Sequence, residues 1–125
     1  MPRATVNLQT TERHDLKTLP EGWVELRRLT YGQMVQRRAM MKLSVEAGGR
    51  NKDFKGELAM ASEEITRFEF AHAIIDHNLE DESGRKLNLG SPVDFSALDP
   101  RVGTEIETLI TDMNNFDDES DPQEV

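Results

Sequence analysis

The chain contains no cysteine. A disulfide framework and a thiolate metal site are therefore both excluded, and nothing asks for an oxidising compartment. Long apolar runs are also missing: nowhere do about 18 uninterrupted apolar residues occur, as a membrane-spanning helix would need. The opening stretch "MPRATVNLQTTERHDLKTLPEG" lacks the apolar centre of a signal peptide. A soluble chain in a reducing cytosol is the expectation. No serine lies in a Gly-x-Ser-x-Gly elbow and no glycine loop is built to cradle phosphate. No catalytic residue, cofactor site or metal site is assigned.

What is present divides unevenly by charge. Residues 1–56 carry 11 Lys+Arg against 6 Asp+Glu, net +5, and residues 57–125 carry 4 against 18, net -14, which together give the formal -9. The acidic half would repel phosphate, so binding of nucleic acid by the whole protein is not expected. The basic cluster Arg27, Arg28, Arg37, Arg38 and Lys42, followed by Arg50, Lys52 and Lys55, has only Tyr31 and Phe54 as interleaved aromatics. Pairing with the acidic half, or solvation, is the preferred reading of these charges.

At 125 residues the chain suits one domain. Residues 1–22 read as a mobile arm with room for a short strand at "ATVNLQ". "WVELRRL" alternates Val24 and Leu26 with Glu25 and Arg27, a strand signal. Thr30 offers an N-cap for a helix from Tyr31 to about Ala47, which Gly48 and Gly49 end. A basic loop follows. A second helix is expected from Glu57 to Leu79, and "HNLEDESGRKLNLG" then has the form of a short hairpin with Leu79 facing Leu87 and Leu89. Ser91-Pro92 and Asp99-Pro100 are two further helix starts, the second leading into Val102, Ile106, Leu109 and Met113 at helical spacing. The tail, residues 117–125, holds five acids and no core-forming cluster, as disordered segments do. The sum is a mostly α fold: a domain of three to four helices over residues 23–116, with room for a short N-terminal strand or hairpin.

The helix over 57–79 raises the central question. Leu58, Ala61, Ile65, Phe68, His72, Ile75 and Leu79 fall on one stripe, which predicts Leu58, Ile65, Phe68 and Ile75 in the core against the first helix. His72, with Glu69 and Asp76 nearby, has the Glu-x-x-His spacing of carboxylate-bridged bundles but no second such motif to face it. A half-buried histidine bonded to a neighbour is the preferred reading. "DHNLEDESGRKL" and "DMNNFDDESD" are oxygen-rich, yet neither places glycine sixth and glutamate twelfth as a calcium loop requires. Phe70 and Ile74 project roughly opposite the stripe. In so small a domain one side can pack on the first helix and the other on the C-terminal helix; otherwise one side awaits a partner. Met34, Met40 and Met41 supply an adaptable neighbour. Met41, Phe70 and Ile74 are accordingly the candidates for the centre of a partner-binding surface.

The order "LPEGWVELRRLTYGQM", a helical centre, "SPVDFSALDPRVGTEIETLITDMNN" and an acidic tail resembles the small tail assembly chaperones of long-tailed bacteriophages, over about residues 19–116. The resemblance implies a mostly helical, non-enzymatic protein of the host cytoplasm, the short form of a pair made by ribosomal frameshifting. Its partners would be the tape-measure protein and the tail-tube protein, with no membrane or nucleic acid; self-association into a homo-oligomer stays open. Two other readings are kept: a structural tail or head-to-tail connector component that remains in the virion, and an acidic decoy of a nucleic-acid enzyme.

Overall fold

Val24 and Leu26 alternate with Trp23 and Glu25, and this period-two segment is the middle strand of a three-stranded antiparallel sheet in the computed structural model, which describes residues 2–48 and 54–115. β1 (Glu12–Asp15) and β2 (Trp23–Leu26) form a hairpin in which Glu12 faces Leu26 and Asp15 faces Trp23. The helices α1 (Tyr31–Gly48) and α2 (Phe54–Ala73) follow, and β3 (Ile74–His77) then returns to the free side of β2. A short α3 (Pro92–Ala97) and the longer α4 (Pro100–Asn114) follow.

The fold is thus mixed α/β, with four helices and one sheet among the described residues, and the expectation of a mostly helical domain is corrected. Its error lies at Ala73. The helix expected to reach Leu79 ends six residues early, where the β-branched pair Ile74 and Ile75 suits a strand better than a helix. The switch is locked by the partner: Arg27 N–H donates to the Ala73 carbonyl at 2.8 Å, and Leu26 pairs with Ile74. A register irregularity between Glu25 and Leu26 leaves Ile75 as the extra residue, pointed outward. The N-terminal strand is also displaced: it forms at residues 12–15 rather than within 4–9, so part of the stretch read as an arm belongs to the sheet. The second hairpin forms where expected, with Leu87 N–H donating to the Leu79 carbonyl at 2.9 Å and positive φ at Gly84. Gly49, the basic loop over 50–53, the acidic tail and the side chain of Leu58 lie outside what the structure describes.

One cluster of buried side chains unites these elements. Val24 and Leu26 from the sheet, Phe70 and Ala73 from the end of α2, and Val102, Ile106 and Ile110 from α4 are its centre. α4 begins at a true cap, the Asp99 carboxylate accepting from Arg101 N–H at 2.9 Å, and its four-residue spacing presents one apolar stripe. α2 is two-sided. Thr66 and Phe70 look toward α4 and α3, through a Thr66–Glu107 hydrogen bond of 3.1 Å and an edge-to-face contact of Phe70 with Phe95 at 5.4 Å. Glu69 and His72 look toward α1. The expected seam is therefore not the main core: Ile65 and Phe68 are half-buried, and Ile75 is 43% exposed. Phe70, assigned to the opposite side, is 2% exposed.

Candidate partner-binding surface

α1 is started by a reciprocal cap. Gln33 N–H donates to Thr30 Oγ1 at 3.2 Å, and Thr30 N–H donates to Gln33 Oε1 at 2.9 Å, so both donors are satisfied reciprocally. Leu29, just before it, is buried and its N–H donates to the Asn114 side chain at 2.9 Å. The inward face of α1 is polar in its middle. Arg37 Nε donates to Glu69 at 2.6 Å, Gln33 meets His72 Nδ1 at 3.2 Å, and Met34 packs against the core cluster.

The outward face leaves large apolar side chains in water. Tyr31 is 76% exposed, Val35 42% and Met41 41%. At about 100° per residue Tyr31, Val35 and the exposed cations Arg38 and Lys42 fall within about 60° of one another, and Met41 lies on the flank of this stripe, beside the inward Met34. Arg28 lies exposed at its root. An apolar stripe edged by cations is suited to the apolar face of another helix, with charge governing encounter and register. Sequence reasoning singled out the methionines of this helix and passed over Tyr31 and Val35. The periodicity that would have found them is the one applied to α2.

Of the three candidate residues, only Met41 belongs to α1, at the flank of this stripe. Phe70 is in the core, and Ile74 is a half-buried residue of β3. These two meet along one side of an open cavity of about 430 Å³ that is also lined by His77, Leu87 and Leu89, but Met41 is not part of it. Phe70 is thus a packing residue whose edge reaches that cavity.

The polar groups nearby serve the fold. His72 lies against Phe68 in a tilted contact, with centroids 4.5 Å apart, and bonds Gln33. Burial pushes the Glu69 carboxyl above its ordinary value, although the hydrogen bond and charge of Arg37 pull it back. Burial, then the positive charge of Lys86, holds His77 below the usual imidazole range, against opposing contributions from Asp76 and the Leu87 backbone. Its Nδ1 accepts from Leu79 N–H at 3.0 Å, which suits a neutral ring. Among the described residues no three His, Asp or Glu side chains converge as metal ligands, and none of the described hydrogen bonds joins a hydroxyl to a histidine. No described helix is long and apolar enough to cross a membrane.

Comparison of the chain with protein-family models, with curated proteins and with solved structures yields no match in any of the three.

Proposed function

We propose that this protein is a non-enzymatic assembly chaperone that holds an apolar helical client along α1. The client would be the tape-measure protein of a long-tailed phage, around which tail-tube subunits are then recruited in the host cytoplasm. The observation that carries this reading is the exposure of Tyr31 and Val35 on one stripe, with Met41 exposed at its flank, on a helix whose opposite face is already engaged. Three large apolar side chains in water are a cost that a partner removes. Aromatic anchors with a cationic rim are what interfaces use for affinity and orientation respectively. The order of segments shared with tail assembly chaperones supplies the identity of the client.

The test is co-expression of the tape-measure protein with the double variant Tyr31→Ser, Val35→Ser. Both positions are exposed, so the variant keeps the circular dichroism spectrum of the parent. The expected result is that the client, soluble with the parent, moves to the insoluble fraction with the variant. A variant that keeps the client soluble overturns the α1 site. Recovery of the protein in stoichiometric amounts from purified virions would instead favour the connector reading, because a chaperone leaves before the particle is complete.

A further inference from the structure

A second apolar surface lies at the other end of the molecule. The turn at residues 18–19, the hairpin over 79–87 and the junction of α3 with α4 enclose a cleft of about 380 Å³. Its floor is Leu19, Leu79, Leu87, Leu98 and Val102, and this volume is ample for one aromatic ring. The walls are built rather than incidental. Glu105 of α4 accepts from Lys17 N–H at 2.8 Å, Thr18 N–H at 2.9 Å and Thr18 Oγ1 at 2.6 Å, which pins one wall. Leu19 is held over the cleft by the buried Gly22, where a Cβ would stand 2.9 Å from the Leu19 side chain. Outside the lining, Arg85 grips both oxygens of the buried Asp94, at 2.8 and 3.2 Å, and Asp94 also accepts from Asn88 N–H at 2.8 Å, which ties the hairpin to α3.

The rim decides what enters. Asp81 and Asp99 are engaged with Arg85 and Arg101, whereas Glu80 and Glu82 are exposed and join no ion pair among the described residues. An apolar cleft with two uncompensated carboxylates at its edge is complementary to an apolar side chain flanked by cations. The α1 stripe has that composition: Tyr31 and Val35, with Arg28 and Lys42 exposed beside them. Within one copy the two surfaces cannot meet. The cleft sits at Arg101 and Val102 in the first turn of α4, and α1 begins beside Asn114 in its last turn, a separation of about 20 Å at a rise of 1.5 Å per residue.

We propose that copies of this chain associate head to tail, the α1 stripe of one copy seating Tyr31 in the Leu98 cleft of the next. Such an interface is heterologous, so it closes into a ring or continues as an open chain according to the rotation between copies. It rests on the stripe of the chaperone reading as an interaction face, but not on any client. It also gives the opposite charges of the two halves of the sequence a common purpose. A client helix would displace the neighbouring copy from the stripe, so the resting assembly keeps Tyr31 out of water until the client is made.

The experiment uses the full chain and two charge variants, each changed only at exposed positions. Glu80→Lys, Glu82→Lys loses the cleft and keeps the stripe; Arg28→Glu, Lys42→Glu loses the stripe and keeps the cleft. By sedimentation velocity at low salt, the parent is expected to form species of two or more copies. It should return to monomer near about 1 M salt, where the screening length is about 3 Å. Each variant alone is expected to be monomeric, because its stripe and cleft then carry charge of the same sign, while a one-to-one mixture of the two should associate again, because every stripe then meets a cleft of opposite charge. A monomeric parent at high concentration, a monomeric mixture, or a variant that still self-associates alone overturns the proposal. The cleft variant keeps its stripe, and so should still solubilise the tape-measure protein. Loss of self-association is in this way separated from loss of client binding.

Discussion

Phe70 and Phe68 stand two positions apart on one helix, and only the first is enclosed, between Phe95 and the core cluster. Phe70→Ala should therefore lower stability by about 3–5 kcal/mol in urea denaturation, and Phe68→Ala by clearly less, since its half-exposed ring leaves a smaller void. The helical wheel placed both residues at correct angles but could not say which side would meet the larger apolar neighbour. Asn114 offers a second case. Its side chain accepts from Leu29 N–H at 2.9 Å and donates to the Ile110 carbonyl at 2.9 Å, so Asn114→Ala strands a buried donor. A loss of about 1–3 kcal/mol is expected by the same measurement. No pattern in the sequence marks this residue, because its partner is 85 positions away.

Among elements, the switch from α2 to β3 governs the architecture, and the hairpin clamp governs the response to acid. Arg85, then the Asn88 N–H, holds the Asp94 carboxyl below its ordinary value. For Glu105 burial acts upward, but the bonds from Lys17 and Thr18 together outweigh it, so this group is also held low. A carboxylate depressed in the folded state stabilises above its unfolded pKa of about 4, and that contribution is lost as pH falls through the folded value. Glu69, raised by burial, has the opposite sign: its contribution is present below its unfolded pKa and is lost as pH rises through the folded one. Stability measured from pH 7 downward should therefore fall less steeply below about pH 4 in Asp94→Asn than in the parent, and an unchanged slope would refute the clamp. Helix starts at Thr30, Ser91 and Asp99 were legible because each depends on adjacent residues, although the Ser91 side chain makes no capping bond, and α2 starts at Phe54 rather than Glu57. The strand at 74–77 was not, because its hydrogen bonds are made with residues 24–27.

At the scale of the molecule, the two halves of the chain differ in charge and share one sheet and one core. β2 lies between β1 and β3, and Val24 and Leu26 are buried among Phe70, Ile106 and Ile110. A fragment of residues 1–48 should consequently show the collapsed amide dispersion of an unfolded chain in a two-dimensional NMR spectrum. Dispersed peaks would mean that the β1–β2 hairpin and α1 are stable without their core. By itself the sequence determined what is local: the absence of thiol chemistry, the charge division, the period-two strand at residues 23–26, the 79–87 hairpin and the helix starts after Thr30, Ser91 and Asp99. The tertiary structure alone decided where α2 stops, which of its faces is the core, and which apolar residues remain in water. The reason is physical. Caps and periodicities are set by neighbours within about one turn, whereas burial is set by whatever surface the fold brings opposite, so Phe70 is enclosed and Tyr31 is left exposed by partners distant in the chain.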